Sequence, residues 1–360
     1  MGNPGILMRL MTEAVGSGPK TADDMSREQA GEALRAILTG AAHPVTVGAF
    51  LCANRWKHNT WEELAGYIEA MRSYQIRTAP ARSGVVDCGA NYDGKTRTAL
   101  LGVAAGLVAA AAGVPVALHS GDRIPTKYGC TYTHVLDALG VPTDLSPEES
   151  ARSLETTGFG FYYQPRYNPR FHALLDYRNH VGVRTFLNTI ERLANPADAH
   201  IHLGSFFHLP FARKIIRALT ALRSCRYERI LLFQGLEGYD DLNPRRTKMV
   251  EWRDGAVREF ELEPATLGFT FTRKAVQVKN LPETSARITR EVLSGARRDH
   301  FANAVALNAA LRIYAGSDQT SLGEALAVAQ SVIQGGQGMA VLEQLQSLEE
   351  SGTTACPDPS

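Results

Sequence analysis

Apolar residues recur at helical spacing through the first eighty residues of the chain. The spacing predicts helices over residues 6–15, 26–38, 46–55 and 61–72. The second helix opens with Ser-x-x-Gln, a variant of the capping box, and Gly40 follows its end. Residues 1–80 are therefore predicted to form a small all-helical lobe, which ends in a linker that contains proline and arginine.

From residue 85 onwards, short apolar runs bounded by turn residues alternate with helical segments. The runs predict strands over 85–88, 114–118, 158–163, 200–205 and 229–235. The segments between and after them predict helices over 98–112, 131–139, 170–180, 184–193 and 209–222. This alternation indicates an α/β domain over 81–348, with a central, mostly parallel sheet flanked by helices. Antiparallel edge strands are expected within 249–278, helices over 285–345, and a disordered tail over 349–360.

Composition and charge narrow the classes of partner. The chain carries 38 Lys and Arg against 37 Asp and Glu, so bulk attraction to nucleic acid or to a membrane is not expected, and any polyanion site must be local. The apolar segment 99–118 contains three glycines and Pro115, which favours a buried helix and strand over a membrane span. Five scattered cysteines without a C-x-x-C pair predict free thiols and a cytoplasmic protein.

The loop Gly89-Ala-Asn-Tyr-Asp-Gly94-Lys95-Thr96 matches the P-loop pattern G-x-x-x-x-G-K-[ST] between a predicted strand and a predicted helix. Such a loop presents backbone N–H groups and a lysine to an anion. A nucleoside triphosphatase also needs a carboxylate at the end of a strand to hold magnesium, whereas the apolar strand 230–233 runs into Gln234. Three interpretations stay open: a phosphate loop of another kind, a structural turn, and a P-loop-type nucleotide site.

Several segments together resemble the anthranilate phosphoribosyltransferase family, also called glycosyltransferase family 3. The segment from Gly158 to Pro169 resembles G-x-G-F-x-x-x-P-x-Y-H-P, and that from Tyr177 to Pro196 resembles V-R-x-x-L-G-x-R-T-x-x-N-x-x-x-x-L-x-N-P. Residues 234–244 resemble H-G-x-x-G-x-D-E-x-x-P, and the resemblance covers roughly residues 6–340. It implies a nucleoside phosphorylase/phosphoribosyltransferase-like fold and transfer of a phosphoribosyl group from phosphoribosyl pyrophosphate to an aromatic amine such as anthranilate, as in tryptophan biosynthesis.

The resemblance also implies roles for individual residues. Acceptor contacts would come from Arg178, Asn168 and His119. Donor phosphates would be bound by Gly89, Asp93, Gly94, Lys95, Thr96 and Arg123. Asp240 and Asp241 would hold Mg²⁺ on the diphosphate. The transition state is oxocarbenium-like, so catalysis would rest on positioning and charge stabilisation, and no catalytic nucleophile is assigned. A homodimer would form through the helical lobe, with contacts at Ile6, Leu7, Leu10 and Phe50.

The chain departs from the family pattern in its phosphate loop. The family's G-T-G-G-D reads Gly89-Ala-Asn-Tyr-Asp93 here, which puts two side chains where glycine lets the backbone approach a diphosphate. A divergent second branch of the family has such a degraded loop, and some of its members bind nucleic acid as dimers. The alternative function is thus an inactive scaffold that binds DNA or other nucleic acid. The contacts would come from Arg213, Lys214, Arg217, Arg245, Arg246 and Lys248.

Overall fold

Four short helices and a π-helical turn form the N-terminal lobe in the computed structural model, which describes residues 5–18, 20–279, 281–317 and 321–348. The helices are α1 (Ile6–Leu10), α2 (Arg27–Leu38), α3 (Pro44–Lys57) and α4 (Trp61–Arg72), and the π-helical turn is Met11–Val15. Capping boxes at Ser26 and Thr60 begin α2 and α4. The predicted helical lobe is confirmed. The predicted disordered tail lies outside the described residues, as does Cys356.

A seven-stranded sheet forms the centre of the α/β domain. Its strands are β1 (Val86–Gly89), β2 (Val116–Ser120), β3 (Phe159–Tyr163), β4 (Ile201–Phe206), β5 (Arg229–Gln234), β6 (Thr247–Arg253) and β7 (Ala256–Leu262). They lie in the order β3-β2-β1-β4-β5-β6-β7. The first five are parallel, while β6 and β7 continue the sheet as an antiparallel hairpin. The predicted α/β fold with antiparallel edge strands is therefore confirmed, although the hairpin begins two residues earlier than predicted.

Most helices of this domain lie where the sequence predicts them, but they begin and end at different residues. They are α5 (Gly102–Ala111), α6 (Tyr132–Leu139), α7 (Pro147–Thr157), α8 (Gln164–Tyr167), α9 (Pro169–His172), α10 (Leu175–Val181), α11 (Leu187–Ile190), α12 (Leu209–Thr220), α13 (Leu281–Leu293), α14 (His300–Gly316), α15 (Leu322–Gln334) and α16 (Gly338–Gln346). Helix α7 was not predicted, and the segment predicted as one helix over 170–180 is divided between α9 and α10. The segment 184–193 is likewise divided into α11 and a 3₁₀ turn, Glu191–Leu193.

Helix α5 lies at the centre of the larger hydrophobic core. It is apolar on every side, and nearly all of its residues are buried against β2, β3, α6 and the C-terminal helices α13 to α16. A second core joins the helical lobe, α10, α11 and α12 to the opposite face of the sheet. In the described part of the chain, no helix has the length and apolar character that crossing a membrane requires.

Side chains from both parts of the chain hold the helical lobe against the α/β domain. Arg72 of α4 is buried and donates to the carbonyl oxygen of Leu193 and to the hydroxyl of Tyr227. Tyr67 stacks on Phe186 with ring centroids 3.9 Å apart. These contacts fix the position of the lobe on the α/β domain.

The four residues predicted to contact a second copy of the chain lie inside the helical lobe instead. Ile6, Leu7, Leu10 and Phe50 are almost fully buried within the lobe's own core, so they are not available to a partner. Apolar periodicity on a short helix identifies its buried face but does not say whether the same chain or a second copy covers it. The prediction that these four residues contact a partner is wrong. The cysteines at 52, 88, 130 and 225 are free, as predicted.

Candidate functional site

A cleft of about 360 Å³ lies between the helical lobe and the carboxyl ends of the parallel strands. This end of an open α/β sheet is where ligands of such folds bind. One wall is contributed by the lobe, and the other by the loops that follow β1, β4 and β5. The lining includes Arg55, Asn91, Asp93, Arg184, Arg192, Phe206, Phe207, Lys214 and Glu237.

Gly89 ends β1 where the backbone of another segment comes very close. A Cβ atom at this position would lie 1.7 Å from the carbonyl oxygen of Arg192, a distance that no side chain tolerates. Gly94 has a φ of +74°, and a Cβ there would meet the backbone of Gly129 at 2.5 Å. The two glycines predicted to bind donor phosphates are thus required by the packing of the loop itself.

Lys95 does not face the cleft. Its side chain is fully buried, and its ammonium lies 2.6 Å from a carboxylate oxygen of Asp241 and 2.8 Å from the carbonyl oxygen of Ala99. The following helix begins only at Gly102, so no helix N-terminus stands beside the loop. The P-loop interpretation of residues 89–96 is therefore wrong, because its lysine neutralises an internal carboxylate.

The acidic pair predicted to hold magnesium is buried and already paired. Asp240 receives a hydrogen bond of 2.7 Å from Arg312, which lies on α14, while Asp241 is paired with Lys95. Burial raises the pKa of Asp240, although Arg312 opposes the shift. One oxygen of each carboxylate is buried without a hydrogen-bond partner. Among the residues that the structure describes, no group of three or more His, Cys, Asp or Glu side chains could hold a metal ion.

Two of the predicted acceptor residues are occupied by partners of their own. Arg178 is buried and forms a bidentate pair with Glu191, with N–O distances of 2.6 and 2.9 Å. The pKa of Glu191 is raised overall by burial, although the positive charge of Arg178 acts in the opposite direction. Asn168 is buried and accepts from the backbone N–H of Phe171, so it caps α9. Neither side chain is directed into the cleft.

His119 belongs to a buried network that reaches the cleft wall. Its Nε2 lies 3.3 Å from Asp87, and its Nδ1 lies 2.6 Å from the hydroxyl of Tyr92, which also contacts the hydroxyl of Tyr167. His202 approaches Asp87 from the neighbouring strand at 2.7 Å. Burial works against the charged carboxylate, but the two histidines outweigh it and hold the pKa of Asp87 well below its usual range. The network fixes Tyr92 in the wall of the cleft.

The floor of the cleft carries cations that the sequence motifs did not single out for binding. Arg184 donates to Asp93 through Nε at 2.9 Å, and the Lys127 ammonium lies 3.6 Å from the other oxygen of the same carboxylate. Arg192 is 6% exposed, and its Nη1 donates to the side-chain oxygen of Asn91 at 3.3 Å. Burial, followed by the charge of Arg184, lowers the pKa of Arg192 to about 10. Of the predicted donor residues, only Asp93 lies in this group.

Arg123 and Thr96, which were also predicted to bind the donor phosphates, do not line the cleft. Arg123 is exposed and donates to His134 at 3.1 Å. The backbone N–H of Thr96 donates to Glu237 at 3.4 Å, and Glu237 also accepts from the hydroxyl of Thr98 at 2.6 Å. These bonds tie the loop after β1 to the turn after β5.

The basic residues predicted to contact nucleic acid are partly neutralised. Arg213 pairs with Glu259 at 2.5 Å, and Arg246 pairs with Glu261 at 2.9 Å. The guanidinium of Arg217 lies over Trp61 at 4.6 Å, and Lys214 donates to a backbone carbonyl at the cleft. Arg245 and Lys248 are exposed. Because acidic partners neutralise two of these six cations, this group of described residues does not favour nucleic acid over a small anion.

A helical lobe over the carboxyl ends of a parallel sheet, with arginine and lysine side chains in the cleft between them, is an α/β architecture suited to an anionic ligand. Two domain families match the chain: the glycosyl transferase family α/β domain over residues 87–339 and the glycosyl transferase family helical bundle domain over residues 11–74. The chain belongs to glycosyl transferase family 3 and is a glycosyltransferase-type enzyme.

The similar proteins and solved structures carry the same name, anthranilate phosphoribosyltransferase. An anthranilate phosphoribosyltransferase from Methanocorpusculum labreanum is 33% identical over 328 residues, which cover 89% of this chain and 93% of the relative. The anthranilate phosphoribosyltransferase structure from Thermus thermophilus is 28% identical and superposes with a TM-score of 0.80 over 95% of this chain and 98% of the other. The Saccharomyces cerevisiae enzyme in complex with PRPP and Mg has a TM-score of 0.81 at 18% identity, with 95% and 97% of the two chains covered, which shows the shared fold.

Proposed function

We propose that the chain is a phosphoribosyltransferase that transfers a phosphoribosyl group from phosphoribosyl pyrophosphate to an aromatic amine such as anthranilate. The observation that carries the proposal is the excess of positive charge in the cleft, which suits the phosphates of the donor. The aromatic side chains of Phe206 and Phe207 line the same cleft and suit a flat acceptor. Curated relatives that align over nearly the whole chain carry this activity in their names.

The amine nitrogen would form the new bond to the anomeric carbon of the ribose as the diphosphate departs with the electron pair of the broken C–O bond, and the nitrogen would then release one proton to the diphosphate or to water. The ring carbon becomes cationic before the nucleophile bonds fully, so positioning and electrostatics supply the rate acceleration. The cleft's cations would stabilise the charge that grows on the departing diphosphate. The helical lobe would exclude water, which competes with the amine.

Magnesium would accompany the donor, as in the yeast structure that contains PRPP and Mg. The unpartnered oxygens of Asp240 and Asp241 are the hard ligands that Mg²⁺ prefers. Both carboxylates are buried outside the lining of the cleft and are already neutralised by Lys95 and Arg312, so the diphosphate would have to provide most of the ligands. When bound there, Mg²⁺ would offset charge on the diphosphate.

We further propose that the chain forms a homodimer through its helical lobe. The exposed apolar residues of the lobe support this choice, since Met8 of α1 is 66% exposed while Val45 and Trp56 of α3 are 73% and 80% exposed. Helices α1 and α3 pack against each other, so the exposed residues belong to one part of the lobe. Sedimentation analysis of the wild-type chain and of Trp56→Ser would test the assignment.

A transfer assay tests the main proposal. Purified full-length protein would be incubated with phosphoribosyl pyrophosphate, Mg²⁺ and anthranilate, and loss of anthranilate fluorescence together with mass spectrometry would identify the phosphoribosylated product. Reactions without donor are the blank, and a panel of aromatic amines tests acceptor choice. If no amine is phosphoribosylated and calorimetry detects no donor binding at millimolar concentration, the proposal is wrong.

A further inference from the structure

Arg192 is a buried cation without an acidic partner of its own in its described contacts. It lies in the 3₁₀ turn Glu191–Leu193, and its guanidinium reaches the cleft, where an uncharged amide oxygen of Asn91 is its hydrogen-bond acceptor. A charged group that is 6% exposed normally has a partner of opposite charge, because removing it from water is expensive. Glu191, the neighbouring acid, makes no hydrogen bond with Arg192 in the described contacts, because both of its carboxylate oxygens accept from Arg178.

The charges around Arg192 strengthen the imbalance. Arg184 and Lys127 share the single carboxylate of Asp93. Four cationic residues line the cleft, Arg55, Arg184, Arg192 and Lys214, against three acidic ones, Asp93, Glu191 and Glu237, which leaves an excess of one positive charge. Burial, and after it the positive charge of Arg184, lowers the pKa of Arg192.

The position of Arg192 is fixed by its backbone as well as by its side chain. Its carbonyl oxygen lies so close to Gly89 that a Cβ atom there would be 1.7 Å away, which holds the turn against the end of β1. Burial and the hydrogen bond to Asn91 hold the guanidinium itself, so an anion in the cleft would meet a group that needs little ordering on binding.

We infer that Arg192 and Arg184 form a phosphate-binding pair at the floor of the cleft, and that their ligand is a doubly charged phosphate or diphosphate group. Arg184 and Arg192 both line the cleft, and two planar guanidinium groups can contact the several oxygens of a phosphate or diphosphate in pairs, whereas a carboxylate offers only two oxygens. The identity of the ligand as the donor's diphosphate rests on the proposed function. The assignment of Arg184 and Arg192 as an anion-binding pair does not depend on the proposed function.

Isothermal titration calorimetry of the full-length protein with inorganic pyrophosphate tests the pair. We expect Arg192→Gln to weaken pyrophosphate binding about tenfold or more, because it removes a charged partner from a largely desolvated site. Arg192→Lys should be intermediate, since it keeps the charge but loses the planar fork. Arg152→Gln, an exposed arginine on α7, is the matched control and should bind like the wild type. Circular dichroism verifies folding, and Arg192→Lys carries the test if the glutamine variant does not fold.

The inference is overturned if wild-type protein does not bind pyrophosphate at millimolar concentration, or if both Arg192 variants bind it as tightly as the wild type does. The transfer assay separates this inference from the proposed function. Transfer with an unchanged KM for the donor in Arg192→Gln would leave the function standing and refute the pair. Pyrophosphate binding that depends on Arg192, without transfer to any amine, would keep the pair and refute the function.

Discussion

The replacement Lys95→Met tests whether this lysine holds the fold together or binds phosphate. Its side chain is fully buried and that of Asp241 is 2% exposed, with 2.6 Å between the paired atoms. Methionine has a similar volume but leaves the buried carboxylate without a cation. Breaking a buried pair from one side costs about 3–5 kcal/mol. For a chain of 360 residues this is a fall in Tm of about 4–7 °C.

Urea titration and differential scanning calorimetry would measure the loss, with two comparisons. Lys95→Met/Asp241→Asn removes both charges and should recover most of the lost free energy of unfolding. The exposed Lys274→Met should remain within about 0.5 kcal/mol of the wild type. The reasoning is refuted if Lys95→Met is as stable as the wild type and loses pyrophosphate binding instead, because a phosphate-binding lysine behaves in that way.

Three further predictions concern the site and its supports. Gly89→Ala should lower the free energy of unfolding by more than about 2 kcal/mol in urea titration, because the new Cβ would meet a backbone oxygen. The control Gly323→Ala, on the first turn of α15 with open space around it, should be neutral or stabilising. Equal effects of the two replacements would contradict this prediction. Glu191→Gln should destabilise the fold by about 3 kcal/mol, because it leaves Arg178 without its buried partner. By releasing Arg178 it should also increase the affinity for anthranilate in calorimetry. An unchanged Tm would argue against a stabilising Arg178–Glu191 pair. Burial lowers the pKa of His202 from 6.5, so the unfolded chain takes up its proton first as the pH falls, and stability should decrease as the pH falls below about 6.5. The replacement His202→Asn should flatten that slope in urea titrations, and an unaltered slope would exclude His202 as its source.

The elements of the fold could be predicted wherever the signal is local. Ser26 and Thr60 begin helices through contacts within four residues, and each parallel strand is a short apolar run. Helix α7 has the same kind of local signal, a Ser-Pro-Glu-Glu start at Ser146, and the apolar periodicity alone did not reveal it. The delayed start of α5 has no local signal, because Glu237 holds Thr98 in an extended segment from 139 positions away.

The site could be predicted in its residue types but not in its pairings. The motifs drew attention to Arg178, Asp93 and the acidic pair, and each of these is a charged group buried at or near the cleft. Their partners are distant in sequence, so nothing local indicates that Glu191 occupies Arg178 or that Lys95 occupies Asp241. Glu191 and Arg192 are adjacent in a tight turn, yet Glu191 is paired with Arg178 while Arg192 donates only to the amide of Asn91 in the described contacts, a difference that depends on tertiary packing.

The all-apolar helix α5 has a consequence for the order in which the chain is made. It is complete when residue 111 leaves the ribosome, but most of the helices that cover it lie between residues 281 and 346. Roughly two hundred residues must therefore be synthesised while this helix lacks its permanent cover, and at about 5–20 residues per second that interval lasts about 10–40 seconds. A nascent chain of this length needs temporary shielding of α5. A message cut short before α16 would yield a product that aggregates even though every residue lining the cleft has been made.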